Sequence, residues 1–103
     1  MSEPIRIRVQ RQGEGAEIRI LMPHPMENGL RRDDAGKLVA VHYIQTFTLK
    51  QNDRPLINGQ LNTSVSRNPL FVFKARQIKS GDTLSVHWTD NKGAARQDAI
   101  KVE

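Results

Sequence analysis

Two methionines flank a histidine in one short stretch, Met22-Pro23-His24-Pro25-Met26. Two thioethers beside an imidazole form a soft donor set that could bind Cu(I). The alternative is structural: Met22 ends a strand, Met26 fills a gap and His24 lies at the surface. Nothing similar occurs elsewhere in the sequence, so the structural interpretation is favoured over a copper site.

The remaining histidines add no recognisable metal motif. His24, His42 and His87 lack a ligand spacing such as His-x-x-x-His, which disfavours a tri-histidine zinc site. We expect His42 and His87 on outward strand faces. The chain has no cysteine, which excludes a disulfide, a thiolate metal site and a thiol nucleophile within it. We predict no cofactor.

The sequence also lacks the common catalytic motifs. It contains no nucleophile elbow, no zinc-protease motif and no phosphate-binding loop. The carboxylate pair Asp33-Asp34 lies beside Arg31, Arg32 and Lys37, so we expect it to be ionised and solvated. The sequence therefore predicts that the chain is not an enzyme.

Length and charge limit the remaining classes. The 103 residues fit a single domain, 1–103, and the formal net charge is +5. Such a charge raises the possibility of an independent basic nucleic-acid-binding β domain. The basic residues alternate with apolar ones, however, whereas nucleic-acid binding favours a contiguous patch with stacking aromatics. That class is kept as the alternative.

The N-terminal stretch, Met1-Ser2-Glu3-Pro4-Ile5-Arg6, lacks the apolar core of a signal peptide. No run approaches the roughly 20 apolar residues that a membrane-spanning helix needs. By itself the chain is expected in the cytosol unless another protein carries it out, and no membrane association is predicted.

Alternation of apolar and polar residues predicts about seven short strands, and no segment has a helical period. The predicted strands are residues 5–10, 17–22, 38–50, 56–61, 70–75, 83–89 and 94–102. Turn signals between them indicate an all-β sandwich of antiparallel strands. Ile44 is out of phase with Phe47 and Leu49, which predicts a bulge or burial on both faces.

The segment 22–33 is neither a plausible strand nor a short turn. Pro23 and Pro25 exclude a helix, and Asn28-Gly29 suits a tight turn with positive φ. Long ordered loops tend to carry function, and exposed Met and Pro suit adaptable contacts with another protein. The residues alone therefore favour a protein-binding module.

Three stretches make the sequence resemble a known family. They are His24-Pro25-Met26-Glu27-Asn28-Gly29-Leu30-Arg31-Arg32-Asp33 with Gly36-Lys37, Val65-Ser66-Arg67-Asn68-Pro69, and Trp88-Thr89-Asp90-Asn91-Lys92-Gly93. In these stretches the chain resembles the SoxZ family, the cysteine-free subunit of the SoxYZ sulfur-carrier complex in bacterial thiosulfate oxidation. The resemblance runs from Ile5 to near the C-terminus.

The resemblance implies an immunoglobulin-like sandwich and a heterodimer with SoxY, whose C-terminal Gly-Gly-Cys-Gly-Gly arm holds the sulfur covalently. It implies a periplasmic location reached by co-export with SoxY, which carries a twin-arginine signal. It also implies transient visits by SoxAX, SoxB and Sox(CD)2, which load, hydrolyse and oxidise the bound sulfur. Because this chain has no cysteine, it would act as a non-catalytic scaffold with a docking surface.

On this resemblance we predict two contact regions. The first is a docking loop near the sulfur-carrying arm or the visiting enzymes, formed by His24, Met26, Asn28, Arg31 and Arg32. Its arginines would attract anionic adducts or acidic surfaces, and a merely solvated loop is the alternative. The second region, chosen by elimination, is a heterodimer face with Tyr43, Ile44 and Val72 directed outward.

Overall fold

A computed structural model describes residues 3–103, which form seven β-strands joined by turns and loops. The strands are β1 (Arg6–Gln12), β2 (Gly15–Leu21), β3 (Ile44–Gln51), β4 (Arg54–Gln60), β5 (Leu70–Arg76), β6 (Thr83–Asp90) and β7 (Ala95–Lys101). Residues 1 and 2, which belong to the stretch analysed above for a signal peptide, lie outside the described residues. Within 3–103 there is no helix long and apolar enough to cross a membrane.

The strands form two antiparallel sheets. One has three strands in the order β1-β2-β5, and the other has four in the order β4-β3-β6-β7. The chain crosses between the sheets three times, after β2, after β4 and after β5, as expected for an immunoglobulin-like sandwich. The predicted all-β fold is therefore confirmed.

Inward-facing side chains of both sheets form one hydrophobic core. Alternation along β6 buries Leu84, Val86 and Trp88, as the sequence predicts. Ile18 and Ile20 of β2 enter the same core from the opposite sheet. Each such side chain contributes about 1.5–3 kcal/mol through removal of apolar surface from water.

A glycine makes space for the aromatic part of this core. Gly59 of β4 lies opposite Phe47 of β3, and a Cβ at Gly59 would collide with the Phe47 ring. The ring stacks on Phe71 and Phe73 of β5, at centroid distances of 5.2 and 6.2 Å. Gly59 thus weakens its own strand but lets an aromatic cluster join the two sheets.

A β-bulge decides the orientation of Ile44. The register between β3 and β6 shifts between Ile44 and Thr46, which confirms the predicted irregularity. The extra residue turns Ile44 toward the core, where it is 0% exposed. The prediction that Ile44 faces outward at a heterodimer interface is therefore wrong. Tyr43 is half-buried against the core, whereas Val72 is 49% exposed on the outer face of β5.

The loop before β3 is longer than the sequence predicts. Residues 38–43 were expected in a strand that reaches residue 50, but β3 begins only at Ile44. Residues 38–42 pair instead within the loop, through bridges of Leu38 with Arg32 and of His42 with Glu27. Local alternation does not reveal the pairing partner, which explains the error. We refer to residues 22–43 as the long loop.

The contrasting positions of Ile44 and Val72 give a stability test. We expect Ile44→Ala to lower the free energy of unfolding by about 2–5 kcal/mol, because it leaves a cavity in a closed core. The matched control Val72→Ala should change it by about 0.5 kcal/mol or less, as at most exposed sites. Urea denaturation of the two variants measures both values. Equal, small effects would show that Ile44 does not lie in the core.

Candidate functional site

One carboxylate holds both ends of the long loop. His24 lies near its start and His42 near its end, and Asp90 is the last residue of β6. The Nε2 atoms of His24 and His42 are 3.0 and 2.8 Å from the same oxygen, Oδ2 of Asp90. The three side chains form what we name the His–Asp–His cluster, and the two imidazole rings meet edge to face at 4.4 Å.

The second oxygen of Asp90 closes the turn between β6 and β7. Asp90 Oδ1 accepts hydrogen bonds from the backbone N–H groups of Lys92 and Ala94, both at 2.9 Å. Burial by itself raises the pKa of this carboxyl, but the hydrogen bonds from both histidines and both amides outweigh it and lower the pKa to about 2. Asp90 is therefore ionised at neutral pH although it is only 4% exposed.

Hydrogen bonding fixes the tautomer of His24. Its Nδ1 accepts the backbone N–H of Met26 at 3.1 Å, so the ring proton of the neutral imidazole lies on Nε2 and is donated to Asp90. Burial lowers the pKa of His24 below 6.5; the hydrogen bond to Asp90 opposes this shift, and the nearby His42 adds to it. His24 is thus a neutral, buried imidazole near an ionised carboxylate.

Asn68 fixes the backbone at the start of the loop. Its Oδ1 accepts the N–H of His24, and its own N–H donates to the His24 carbonyl, both at 3.0 Å. The adjacent Pro69 carbonyl accepts the N–H of Met22 at 2.9 Å. Asn68 has φ of 53°, a left-handed conformation that asparagine tolerates better than most residues.

The methionines of the Met-His-Met stretch belong to the core. Met22 is fully buried, and the Met26 sulfur lies 3.3 Å from the backbone nitrogen of Ile44 as an acceptor. Met26 therefore fills a gap, as one interpretation predicted, and is not exposed for adaptable contacts. The predicted surface position of His24 is wrong, because Asp90 and Asn68 satisfy its polar atoms in the interior.

The His–Asp–His cluster has donor atoms of the kinds that bind metals. One potential ligand atom from each of the three residues lies within 4.8 Å of the others. In the observed conformation, however, His24 Nε2 carries the proton, since Nδ1 is the acceptor for Met26. A metal at Nε2 would require the proton on Nδ1, facing another N–H group. The arrangement therefore suits hydrogen bonding better than metal binding, and His87 is exposed on β6 and takes no part.

A cavity of about 540 Å³ opens beside the cluster. The three stretches that carry the family resemblance all line it, and they contribute His24, Pro25, Arg67, Asn68, Trp88 and Asp90. Trp88 packs edge to face on His24 with ring centroids 5.2 Å apart. Among the described residues, its buried Nε1 has no hydrogen-bond partner. Separate parts of the sequence thus converge at one end of the sandwich.

The outer part of the long loop is a small exposed hairpin. Arg31 forms an ion pair with the Glu27 carboxylate, with 2.8 Å between Nη2 and Oε1, and this contact lowers the pKa of Glu27. Arg32 donates a hydrogen bond to the Gly36 carbonyl at 2.7 Å. Asn28 Oδ1 accepts the N–H of Leu30, and this turn is exposed. The predicted docking residues therefore divide into two groups: His24 and Met26 anchor the loop inside, whereas Asn28, Arg31 and Arg32 face solvent.

Sequence reasoning missed two parts of this site. Local patterns place His42 on an outward strand face and give Asp90 no role, because contacts across 66 and 48 residues leave no local signal. It also missed three exposed apolar side chains of the long loop, Leu30, Leu38 and Val41. We name Leu30 and Leu38, with the charged residues beside them in the hairpin, the hairpin patch. The isolated positions of Leu30 and Leu38 among charged residues were the only available signal.

The cluster predicts a stability that decreases in acid. For His24 the folded-state pKa lies below 6.5, so its contribution is present above pH 6.5 and is lost as the pH falls below that value. Folding lowers the pKa of Asp90 from 3.8 to about 2. The free energy of unfolding therefore decreases by about 2 kcal/mol as the pH falls through that range. We expect urea denaturation between pH 8 and pH 2.5 to show both decreases.

Two variants test whether Asp90 causes the decrease in stability at the lower pH. Asp90→Asn should not show the decrease in stability between pH 3.8 and about 2. It should also be less stable than the wild type at pH 7, because an amide cannot accept all four hydrogen bonds. Asp34→Asn, at an exposed loop position, should behave like the wild type. A stability that rises between pH 7 and pH 5 would contradict the proposed neutral state of His24.

Comparison with known protein families agrees with the resemblance in the sequence. A family model described as sulphur oxidation protein SoxZ matches residues 5–101. The match includes all seven strands, the long loop and the three residues of the His–Asp–His cluster. A search of curated proteins gave no significant match. The family assignment gives the protein a role in sulfur oxidation, and the chain belongs to the SoxZ family.

Proposed function

We propose that the chain is the non-catalytic subunit of a SoxYZ-type sulfur-carrier complex, in which it pairs with a SoxY-like protein and presents a docking surface to the Sox enzymes. The observation that carries this proposal is the construction of the long loop. Its inner residues are fixed on Asp90 and Asn68, while its outer residues expose apolar and cationic side chains. A loop that is anchored so firmly and exposed so fully suits recognition.

The chemistry of the chain agrees with a role other than carrying sulfur itself. It contains no cysteine, so the covalent sulfur intermediate would reside on the partner. The His–Asp–His cluster resembles a catalytic arrangement in composition, but both Nε2 atoms are engaged by Asp90. His24 Nδ1 is occupied as well, which leaves this imidazole without a free nitrogen for general base catalysis.

Two exposed apolar regions offer different kinds of contact. Leu70 and Val72 lie together on the outer face of β5, an edge strand of the three-stranded sheet, at 59% and 49% exposure. Stable subunit interfaces are more apolar than transient ones. We assign this β5 face to the SoxY-like subunit. Of the three residues predicted at the heterodimer interface, this assignment includes Val72 and excludes the buried Ile44. A contact of Tyr43 with the partner stays a prediction.

The hairpin patch has the character of a transient docking site. Leu30 and Leu38 are 78% and 56% exposed, and charged side chains of both signs lie beside them in the chain: Arg31, Arg32 and Lys37, and Asp33 and Asp34. Mixed apolar and charged surfaces with complementary partners associate fast and dissociate readily. We assign this patch to SoxAX, SoxB and Sox(CD)2, in the periplasm, to which the chain would be exported together with its partner.

Independent nucleic-acid binding has less support. The exposed large hydrophobic side chains of residues 3–103 are all leucine or valine, so no aromatic platform is available for stacking bases. Several basic side chains alternate along strands, as in β1, where Arg6 and Arg8 face outward beside a buried Ile7. This pattern is typical of a solvated sheet face.

The proposed complex can be tested directly by native mass spectrometry of the untagged protein from its own source. We expect a 1:1 complex with a second small protein that bears a labile sulfur mass. The alternative, an independent nucleic-acid-binding domain, is tested by measuring the affinity for DNA at increasing salt concentration, which should fall steeply if the chain binds DNA. A lone chain that binds DNA with such a dependence would refute the carrier-subunit proposal.

Substitutions separate the two contact regions. Leu70→Asp with Val72→Asp should prevent association with the SoxY-like subunit, because charges would be buried in an apolar interface. Arg31→Ala with Arg32→Ala should preserve the heterodimer and slow turnover of the bound sulfur by roughly 3–10-fold, as expected for loss of electrostatic steering. Size-exclusion chromatography measures association, and a coupled assay with the Sox enzymes measures turnover.

A matched control is Arg6→Ala with Arg8→Ala, which removes two exposed charges from β1. This control should leave both association and turnover unchanged. Equal slowing by both double variants would mean that net charge, and not the hairpin patch, determines docking. Dissociation of the heterodimer by the Arg31 and Arg32 changes would show that the hairpin patch, and not only the β5 face, contacts the SoxY-like subunit.

A further inference from the structure

His24 joins three parts of the protein at one point. It lies at the start of the long loop, and it contacts Asn68 in the connection between β4 and β5 and Asp90 at the end of β6. Four of its groups are engaged: the backbone N–H and carbonyl by Asn68, Nε2 by Asp90, and Nδ1 by Met26. Only Nδ1 can take up a further proton, and it is already an acceptor.

Protonation of Nδ1 would break a buried hydrogen bond. The new N–H would face the N–H of Met26 at the present separation of 3.1 Å, so two donors would oppose each other. Met26 has a φ of 48°, in the left-handed region, and its sulfur accepts the N–H of Ile44. The next residue, Glu27, pairs with His42 through two backbone hydrogen bonds. Loss of the Met26 contact would thus loosen the inner side of the loop.

The charged surroundings of His24 act in opposite directions. Asp90 from β6 favours an imidazolium, whereas burial and the nearby His42 oppose it, and the net effect lowers the pKa of His24. Glu3, which precedes β1, and Arg67, in the connection before β5, also line the cavity. The cavity and His42, whose side chain is 25% exposed, give protons a path from solvent.

We propose that His24 is a proton-sensitive latch: its neutral imidazole fastens the long loop to the sandwich, and proton uptake at Nδ1 releases residues 24–27 while the sheets stay folded. The release is local because β3 and β6 keep their own pairing and core packing, to which residues 24–27 contribute only the side chain of Met26. The latch itself is a property of this chain alone. Its consequence, weaker enzyme docking in acid with the heterodimer intact, rests on the proposed function.

Hydrogen exchange of the full-length chain tests the latch. After correction for intrinsic exchange rates, protection of the Met26 and Ile44 amides should decrease by up to about 30-fold between pH 7.5 and pH 5.0, the limit set by a released histidine with a pKa of 6.5. The Val86 amide in β6 should keep its protection. Ring ¹⁵N shifts at pH 7.5 should identify His24 as the Nε2–H tautomer, which requires no variant.

His24→Asn supplies the matched variant, because its Oδ1 can accept the Met26 N–H and cannot be protonated in this range. The pH response of the Met26 amide should disappear in this variant and persist in His87→Gln, which alters an exposed histidine on β6. Persistence of the response in His24→Asn would overturn the proposal, as would an Nδ1–H tautomer or equal loss of protection at Val86.

The outcome is independent of the partner. The exchange experiment uses this chain alone, so a failure there refutes the latch and leaves the carrier-subunit proposal untouched. Conversely, a chain that shows the pH response but forms no complex with a SoxY-like protein would retain the latch and refute the proposed function. In the complex, enzyme turnover should decrease at pH 5 more in the wild type than in His24→Asn.

Discussion

The carboxylate of Asp90 is the interaction on which the functional end of this protein depends. One of its oxygens receives both histidines of the long loop, and the other receives two backbone amides of the β6–β7 turn. These donors offset the burial of the carboxylate, since an ionised group without partners in the interior costs several kcal/mol. Asn68 on the His24 backbone and the buried side chains of Met22 and Met26 add to this anchor.

The long loop has a buried side, which this anchor holds against the sandwich, and an exposed side. Toward the sandwich, Met22 and Met26 enter the hydrophobic core and His24 is buried between Asp90 and Trp88. Toward solvent, Leu30 and Leu38 are exposed among charged residues. A loop of this length without an internal core would ordinarily be mobile. Its ends are fixed, so its exposed residues can be held in a defined arrangement.

The sequence predicts the sandwich well, because a strand with one buried face must alternate with a period of two. The phases of β1, β2 and β6 follow from this rule, and the disturbance at Ile44 correctly indicates a bulge. The rule fails at residues 38–43, where alternation continues but the backbone partners belong to the loop. Alternation describes a face and does not identify what lies beside it, so the direction of Ile44 was also wrong.

The candidate site was predictable only in part, for a different physical reason. The family resemblance drew attention to three stretches that include His24, Asn68 and Asp90. Composition alone gave no reason to bring them together, since a hydrogen bond between residues 66 positions apart depends on the completed sheet order. The tautomer of His24 depends in turn on the Met26 amide, which becomes a donor in the right place only after the loop has folded.

The way in which the loop is fastened has a chemical consequence. Small domains often close such loops with a disulfide, which restricts the unfolded chain but is open to attack by thiolates. Here imidazole and carboxylate groups form the closure, in a chain without cysteine. Such a closure cannot exchange with thiols, persulfides or polysulfides. In the proposed complex, where the partner subunit would carry the reactive sulfur, the oxidation state of that sulfur would not alter this closure.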